Sequence, residues 1–229
     1  YYHHYIISSF IRLLRYVALI LTLIVPAFYI ALTTFHQEMI PTTLLVSIAA
    51  QREGVPFPAF VEVFLMEIIF EILREAGIRM PRAVGSAISI VGALVLGQAA
   101  VQAGIISAFI VIIVSITAIT SFAIPNYEMS NAVRIIRFGF MILSTCFGLF
   151  GVFIGLVLLT LHLSKLKSLG IPYMTPLAPA NVQENKDALI RFPLWKMRYR
   201  PRMISKAKTP RVQTEPPVSS EQSKNQEIY

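Results

Sequence analysis

Residues 83–124 read AVGSAISIVGALVLGQAAVQAGIISAFIVIIVSITAITSFAI and contain no Asp, Glu, Lys or Arg. A helix needs about 20 apolar residues to cross a bilayer core of roughly 30 Å, so this stretch is long enough for two crossings. We divide it into spans at about 83–101 and 105–124, since Gln102, Ala103 and Gly104 interrupt the apolar run. A connection this short predicts that the two helices form an antiparallel hairpin.

Two further charge-free stretches are long enough to cross a membrane. They lie at about 16–34, which contains Pro26 as an expected kink, and at about 139–163. The whole chain is 55% hydrophobic and 14% charged, which is more apolar than a water-soluble domain can bury. The sequence therefore predicts an all-α integral membrane protein with about four transmembrane helices and a membrane domain at 16–163.

Residues 35–82, between the first two spans, contain two further predicted helices. Pro41 suits the start of a helix at about 41–51, and a second follows at about 59–76 with the sequence AFVEVFLMEIIFEILREA. This second helix is apolar except for four Glu and one Arg, and helical spacing places Glu67, Glu71, Arg74 and Glu75 in one sector. We interpret both helices as interfacial or re-entrant, and the second as amphipathic.

The orientation follows from the basic residues at both ends of the membrane domain. Arg12 and Arg15 precede the first span, and Lys165 and Lys167 follow the last one, so both ends are expected to be cytoplasmic. An even number of crossings satisfies this expectation, and a fifth crossing at 59–76 does not. Four spans then place Arg134 and Arg137 on the outer side.

The acidic helix is the main candidate for an ion pathway. A carboxylate at bilayer depth costs at least about 2.5–3.5 kcal/mol, so it must face water, a cation or a partner charge. Glu67 and Glu71 are the leading candidates, and Glu62 projects from another side. Three interpretations stay open. They are pore or vestibule lining, pairing at a subunit interface, and a solvated surface with pairs within the helix, Glu71 with Arg74 and Glu75 with Arg79.

Uncharged polar and small residues complete the set of candidates in the spans. Gln98 and Gln102 lie one helical turn apart and either bond a neighbouring helix or line a pore. Small residues at every fourth position predict close helix packing, both in the second span and, as GxxxG, in the fourth. The predicted packing residues are Gly85, Ser89, Ala93 and Gly97, followed by Gly151 and Gly155.

The segment 164–229 is a basic tail beside this membrane domain. It holds 7 Lys and 5 Arg against 5 acids, a net charge of +7 from 12 − 5. Its composition predicts disorder from about residue 206, and residues 1–15 are interpreted as the end of a preceding region. The mixture of apolar and basic residues at about 189–202 suits either a membrane surface or docking to another protein. The predicted surface residues are Trp195, Arg191, Lys196, Arg198 and Arg200.

The sequence does not favour an enzyme, a metal site or a cofactor site. It contains no Walker loop, GxSxG or HExxH motif, its four His residues are dispersed, and Cys146 is its one cysteine. The net charge of +8 is concentrated in the tail, where membrane lipids explain it without a nucleic acid.

Three long strings resemble one known family. They are residues 35–104, from FHQEMIPTT to GQAAVQAG, then LKSLGIPYMTPLAP at 166–179 and LIRFPLWKMRYRP at 189–201. These strings strongly resemble the membrane domain and tail of the bacterial spore germination receptor A subunits, the GerA family. The family's soluble N-terminal domain is not present in these residues.

The resemblance implies a multi-pass subunit in the inner membrane of a dormant spore. It implies a homo-oligomeric ring, such as a pentamer, that releases monovalent cations when nutrients bind. The implied partners are a transporter-like B subunit, which would hold the nutrient, and a lipoprotein C subunit. The A-like protein of the dipicolinate-channel operon shares the same strings. Two other functions stay open, a non-conducting membrane scaffold and a secondary transporter, but the latter predicts inverted repeats that the four spans lack.

Overall fold

The structure is a computed structural model that describes residues 5–79, 92, 95–178, 188 and 190–192. The described part of the chain consists mainly of helices. In chain order they are α1 (Tyr5–Thr34), a 3₁₀ turn (Gln37–Met39), α2 (Thr42–Arg52), α3 (Ala59–Arg79), α4 (95–102), α5 (Ala108–Phe122) and α6 (Tyr127–Lys165). Two short antiparallel strands follow, β1 (Lys167–Ser168) and β2 (Ile171–Pro172). The chain is therefore mostly helical, and this small hairpin departs from the all-α expectation.

The helices start and end where the local chemistry requires. Pro41 directly precedes α2, and α3 begins after Pro56 and Pro58, which break the preceding helix. Arg79 closes α3 in its last turn, where a positive charge is favourable. The observed helices α2 and α3 lie close to the expected ranges 41–51 and 59–76.

The chain divides into two compact units. One comprises Tyr1–Leu14 with Leu161–Tyr229, and the other comprises Arg15–Thr160. The core lies in the second unit and is built from apolar side chains of α1, α3, α5 and α6. Its fully buried members include Ala27, Ile30, Val63, Ile110 and Met141.

In the second unit, α1 and α5 run side by side in opposite directions. The hydroxyl of Thr22 donates to that of Thr120 at 2.9 Å, and the rings of Tyr29 and Phe109 stack with centroids 5.7 Å apart. The later residue of α1 thus meets the earlier residue of α5, which defines an antiparallel pair.

Helix α3 packs between α5 and α6. Its contacts with α5 advance in the same direction along both helices, from Glu62 with Ser107 to Arg74 with Ser121. Its contacts with α6 run in the opposite direction, as in the edge-to-face pair of Phe64 and Phe138. The acidic helix therefore lies alongside the apolar helices.

Two helices among the described residues are long and apolar enough to cross a membrane, Tyr5–Thr34 and Glu128–Lys165. Helix α5 is apolar but has 15 residues. The expected span 83–101 lies mostly outside the described residues, so four crossings stay a prediction. The expected span 139–163 lies within α6, whose backbone leaves helical geometry at Gly148.

Candidate functional site: a charge cluster between α3 and α6

Glu67 is completely buried against an arginine of α6. Its Oε2 lies 2.7 Å from Nη2 of Arg137, and both side chains are 0% exposed. Neither oxygen of Glu67 accepts a hydrogen bond within the described part of the chain, so the contact is an ion pair without hydrogen-bond geometry. A buried carboxylate held in this way is incompletely compensated for its loss of hydration.

Glu71 lies one turn later on the same face of α3 and contacts the same arginine. Arg137 Nη2 donates to Glu71 Oε1 at 3.0 Å, so one nitrogen of Arg137 bridges both carboxylates. Arg134 Nη1 donates to Glu71 Oε2 at 2.7 Å, and its Nη2 donates to Asn131 Oδ1 at 2.6 Å. The side chain of Glu71 is 21% exposed, so this end of the cluster opens to the surface of the described chain.

Arg74 completes the cluster from α3 itself. Its guanidinium lies 3.9 Å from Glu71 Oε1, donates to the hydroxyl of Ser121, and stacks over the rings of Phe70 and Phe122. The cluster therefore joins two carboxylates to three guanidinium groups, for a formal charge of +1. A groove of about 550 Å³ adjoins it between α3 and α6. The groove is lined by Ile68, Glu71, Ile72, Glu75, Ala76, Arg79, Arg134 and Phe138.

Glu62, the third predicted carboxylate, is buried at the other end of α3. Its Oε2 accepts a hydrogen bond of 3.0 Å from the backbone N–H of Ser107, the residue that precedes α5. Its Oε1 lies 3.4 Å from Nε of Arg52, at the end of α2. Glu62 therefore ties α2 and the start of α5 to α3, and it does not share partners with Glu67 and Glu71.

The remaining predicted residues of the spans have different surroundings. Gln98 and Gln102 are exposed on α4, and within the described residues neither amide bonds to the cluster. A Cβ added to Gly97 would lie 3.2 Å from Val111, so α4 and α5 approach closely there. Gly151 and Gly155 lie at close approaches within α6. Gly85, Ser89 and Ala93 lie outside the described residues.

The tail residues fall in the first unit. The backbone N–H of Arg191 donates to Ser9 Oγ at 3.0 Å, and Arg12 Nη1 donates to the carbonyl of Ala188 at 3.2 Å. The segment around Arg191 thus contacts the first turns of α1. Trp195, Lys196, Arg198, Arg200 and the tail from residue 206 lie outside the described residues.

The sequence did not identify the partners that the three carboxylates have outside α3. The structure places Arg134 and Arg137 against α3, and their expected position on the outer side of the membrane stays a prediction. One signal was present, since two arginines three residues apart fall on one helix face directly before an apolar stretch. The contacts of Glu62 with Arg52 and Ser107 had no comparable signal. Both pairs expected within α3 are present, Glu71 with Arg74 and Glu75 with Arg79.

Comparisons with known proteins indicate one family. The family model described as Bacillus/Clostridium GerA spore germination protein matches residues 1–203. The chain is 57% identical over 206 residues to spore germination protein KA of Bacillus subtilis, which covers 90% of this chain and 38% of that protein. It is 44% identical over 203 residues to spore germination protein GerLA of Bacillus cereus, and the match covers 89% of this chain and 41% of that protein. The chain is also 49% identical to YfkQ, an uncharacterized membrane protein of B. subtilis, and the match covers 40% of that protein.

The chain thus spans about two fifths of the length of these curated relatives. No solved structure matches it.

Proposed function

Because the chain belongs to the GerA family of spore germination proteins, we propose that it is the membrane part of a germination receptor A subunit and forms a nutrient-gated cation conduit. The observation that carries this proposal is the α3–α6 charge cluster, in which a fully buried carboxylate meets a fully buried arginine. Such groups are costly in a membrane domain and are a typical mark of an ion pathway.

The proposed conduit is built from identical copies. In a ring of such subunits, such as a pentamer, one carboxylate per copy becomes a ring of negative charge that concentrates cations and repels anions. Glu67 and Glu71 are the proposed ring residues, and the groove beside Glu71 is the proposed entry to them. Gln98 and Gln102 are secondary candidates for the same path, since both are exposed on α4.

The cluster also suggests how the conduit is closed. With Arg137 across Glu67 and Glu71, the carboxylates are occupied by a fixed cation and cannot bind a mobile one. Opening requires α6 to shift relative to α3, so that potassium or sodium replaces the guanidinium group. Nutrient binding elsewhere in the receptor then needs only a higher affinity for the open arrangement to shift the population toward it.

The proposed setting of this subunit is the spore inner membrane, with the basic tail in the cytoplasm. A transporter-like B subunit that binds the nutrient and a lipoprotein C subunit are the proposed partners. Lys165, the last residue of α6, and Lys167, just after it, suit the cytoplasmic face with its anionic lipids.

The experiment uses the full-length subunit, expressed with its receptor partners in spores. Glu67→Gln and Glu71→Gln remove the charges and preserve the shape of the side chains. We expect each to change the rate of nutrient-triggered potassium release by at least tenfold, while nutrient binding and protein level are preserved. Glu53→Gln is the matched control, because Glu53 is exposed after the end of α2 and belongs neither to the cluster nor to the groove. Unchanged release in both variants, with normal protein levels, would overturn the conduit.

One observation favours a second function, that of a membrane scaffold. Glu67 and Arg137 are already paired within one chain, as a purely structural ion pair would be. A scaffold predicts that Glu67→Gln lowers the amounts of the partner subunits, whereas the conduit predicts altered release at normal amounts.

A further inference from the structure

The backbone of α6 reverses at Gly148. There φ is 61° and ψ is −140°, a combination that is essentially restricted to glycine. The residues on either side are helical, so Gly148 separates two helices, 127–147 and 149–165. We call them the first and second halves of α6.

Contacts between the two halves show that the second half runs back beside the first. A Cβ added to Gly155 would lie 2.9 Å from Cε1 of Phe140, although in a straight helix these residues are about 22 Å apart. A Cβ added to Gly151 would lie 2.1 Å from the carbonyl oxygen of Leu143. The residue pairs in contact are nearly symmetric about Gly148. The second half therefore folds back along the first, and Gly151 and Gly155 are the small residues that allow the close approach.

The turn lies beside the residues that follow α1. A Cβ added to Gly148 would meet Cε1 of His36 at 3.0 Å and Phe35 at 3.1 Å. One turn earlier, Ser144 Oγ donates to the carbonyl of Ala27 at 2.5 Å. The first half of α6 thus runs parallel to α1 and ends where α1 ends. If α1 crosses the bilayer, the turn lies at the far side.

The lengths of the halves fit a bilayer, whereas the undivided helix does not. A straight helix of 39 residues would extend about 58 Å, nearly twice the roughly 30 Å of a hydrocarbon core. The first half extends about 31 Å and the second about 25 Å, and each is close to the length of one crossing.

The charge cluster explains why the hydropathy of α6 indicates one membrane span, although the helix has two halves that are each long enough to cross. The first half contains Arg134 and Arg137, which lower its hydropathy and would be costly in lipid. Both arginines are neutralised by Glu67 and Glu71 of α3. The cost of inserting the first half is therefore offset by a neighbouring helix, which a window along the sequence does not detect.

We propose that α6 crosses the membrane twice as a helical hairpin, so that its beginning and its end lie on the same side. The tail after Lys165 then lies on the side of the α5–α6 connection, residues 123–126. This inference does not depend on ion conduction.

The test is cysteine labelling of the full-length subunit in membranes of cells that express the whole receptor. In a background with the native cysteines replaced, including Cys146→Ser, single cysteines are placed as Ala123→Cys, Lys165→Cys and Glu38→Cys. All three positions are exposed: Ala123 directly follows α5, Lys165 ends α6, and Glu38 lies in the short 3₁₀ turn. The probe is a membrane-impermeant maleimide, applied to intact protoplasts and then to inverted vesicles.

We expect Ala123→Cys and Lys165→Cys to react in the same preparation and Glu38→Cys in the other. Labelling of Ala123→Cys and Lys165→Cys in opposite preparations would overturn the hairpin. Pro125→Cys, in the same connection, replaces Ala123→Cys if that variant does not accumulate.

Gly139 provides a second comparison, because it is helical and has open space where Gly148 has none. Gly148→Ala should lower the level of the protein at least threefold relative to Gly139→Ala, and equal levels would contradict the turn.

Discussion

The two ends of α3 hold buried carboxylates in different ways. Glu62 accepts a backbone hydrogen bond from Ser107 and pairs with Arg52 at the end of α2. Glu67, five residues later, has an ion pair with Arg137 and no hydrogen bond within the described residues. A carboxylate fixed by backbone resists displacement, whereas one held by a single side chain can exchange that partner for another cation. We infer that the Glu62 end is a fixed attachment and that the Glu67 end can change.

Removing the shared arginine is expected to have the largest effect. Arg137→Gln leaves Glu67 unpaired and Glu71 with fewer partners, which should lower the free energy of unfolding by ~3–5 kcal/mol. Thermal unfolding of the detergent-solubilised full-length subunit measures this change. Arg79→Gln is the control, since Arg79 is exposed and pairs with Glu75 alone among the described contacts. Adding Glu67→Gln to Arg137→Gln should recover part of the loss, and a strictly additive double variant would contradict the pairing.

The turn at Gly148 ends the first half of α6, the helix that carries Arg137, so changing it tests how firmly that helix is held. Gly148→Ala forces a Cβ into a conformation that costs about 1–3 kcal/mol, next to Phe35 and His36. Gly139→Ala should be neutral or stabilising, because alanine favours a helix and the site is open. Unfolding of the two purified variants compares them directly, and a Gly148→Ala protein as stable as Gly139→Ala would argue against the strained turn.

The fixed end of α3 predicts a loss of stability without a change in gating. Glu62→Gln keeps an oxygen that can accept from Ser107 but removes the charge facing Arg52, at a cost of about 1–3 kcal/mol. We expect a lower unfolding temperature and the same nutrient concentration for half-maximal potassium release. A shift in that concentration would place Glu62 with Glu67 and remove the distinction between the two ends.

The smallest effect is expected at the exposed end of α3. Glu75 pairs with Arg79 four residues later at 2.9 Å, and an exposed pair of this kind contributes about 0.3–0.5 kcal/mol. Glu75→Gln should therefore leave both unfolding temperature and potassium release close to those of the unaltered protein. A large effect on release would indicate that the groove, and not the buried pair, limits conduction.

The sequence predicts the local features of this molecule well. Helical spacing places Glu67 and Glu71 on one face of α3, and proline positions predict the starts of α2 and α3 to within one residue. The family was also recognisable from three strings, and the comparisons confirm it. These features depend on neighbours along the chain, which the sequence lists directly.

The partners across helices could not be predicted in the same way. Glu67 and Arg137 are 70 residues apart, and nothing local indicates which helix faces which. The turn at Gly148 was hidden for a similar reason, since a GxxxG pattern is compatible with a straight helix that packs on a neighbour. Its positive φ depends on contacts with Phe35 and His36, which belong to another part of the sequence.

The most direct test of the exchangeable pair is to lock it. Phe64→Cys with Phe138→Cys, whose rings meet across α3 and α6 with centroids 5.4 Å apart, leaves Glu67 and Arg137 in place, and the two cysteines can be joined by a short bifunctional thiol reagent in spores that carry the full-length subunit and its partners. We predict that the joined protein binds nutrient but releases no potassium, and that cleaving the reagent restores release. Normal potassium release from the joined protein would contradict the account, because α3 and α6 would then not need to separate.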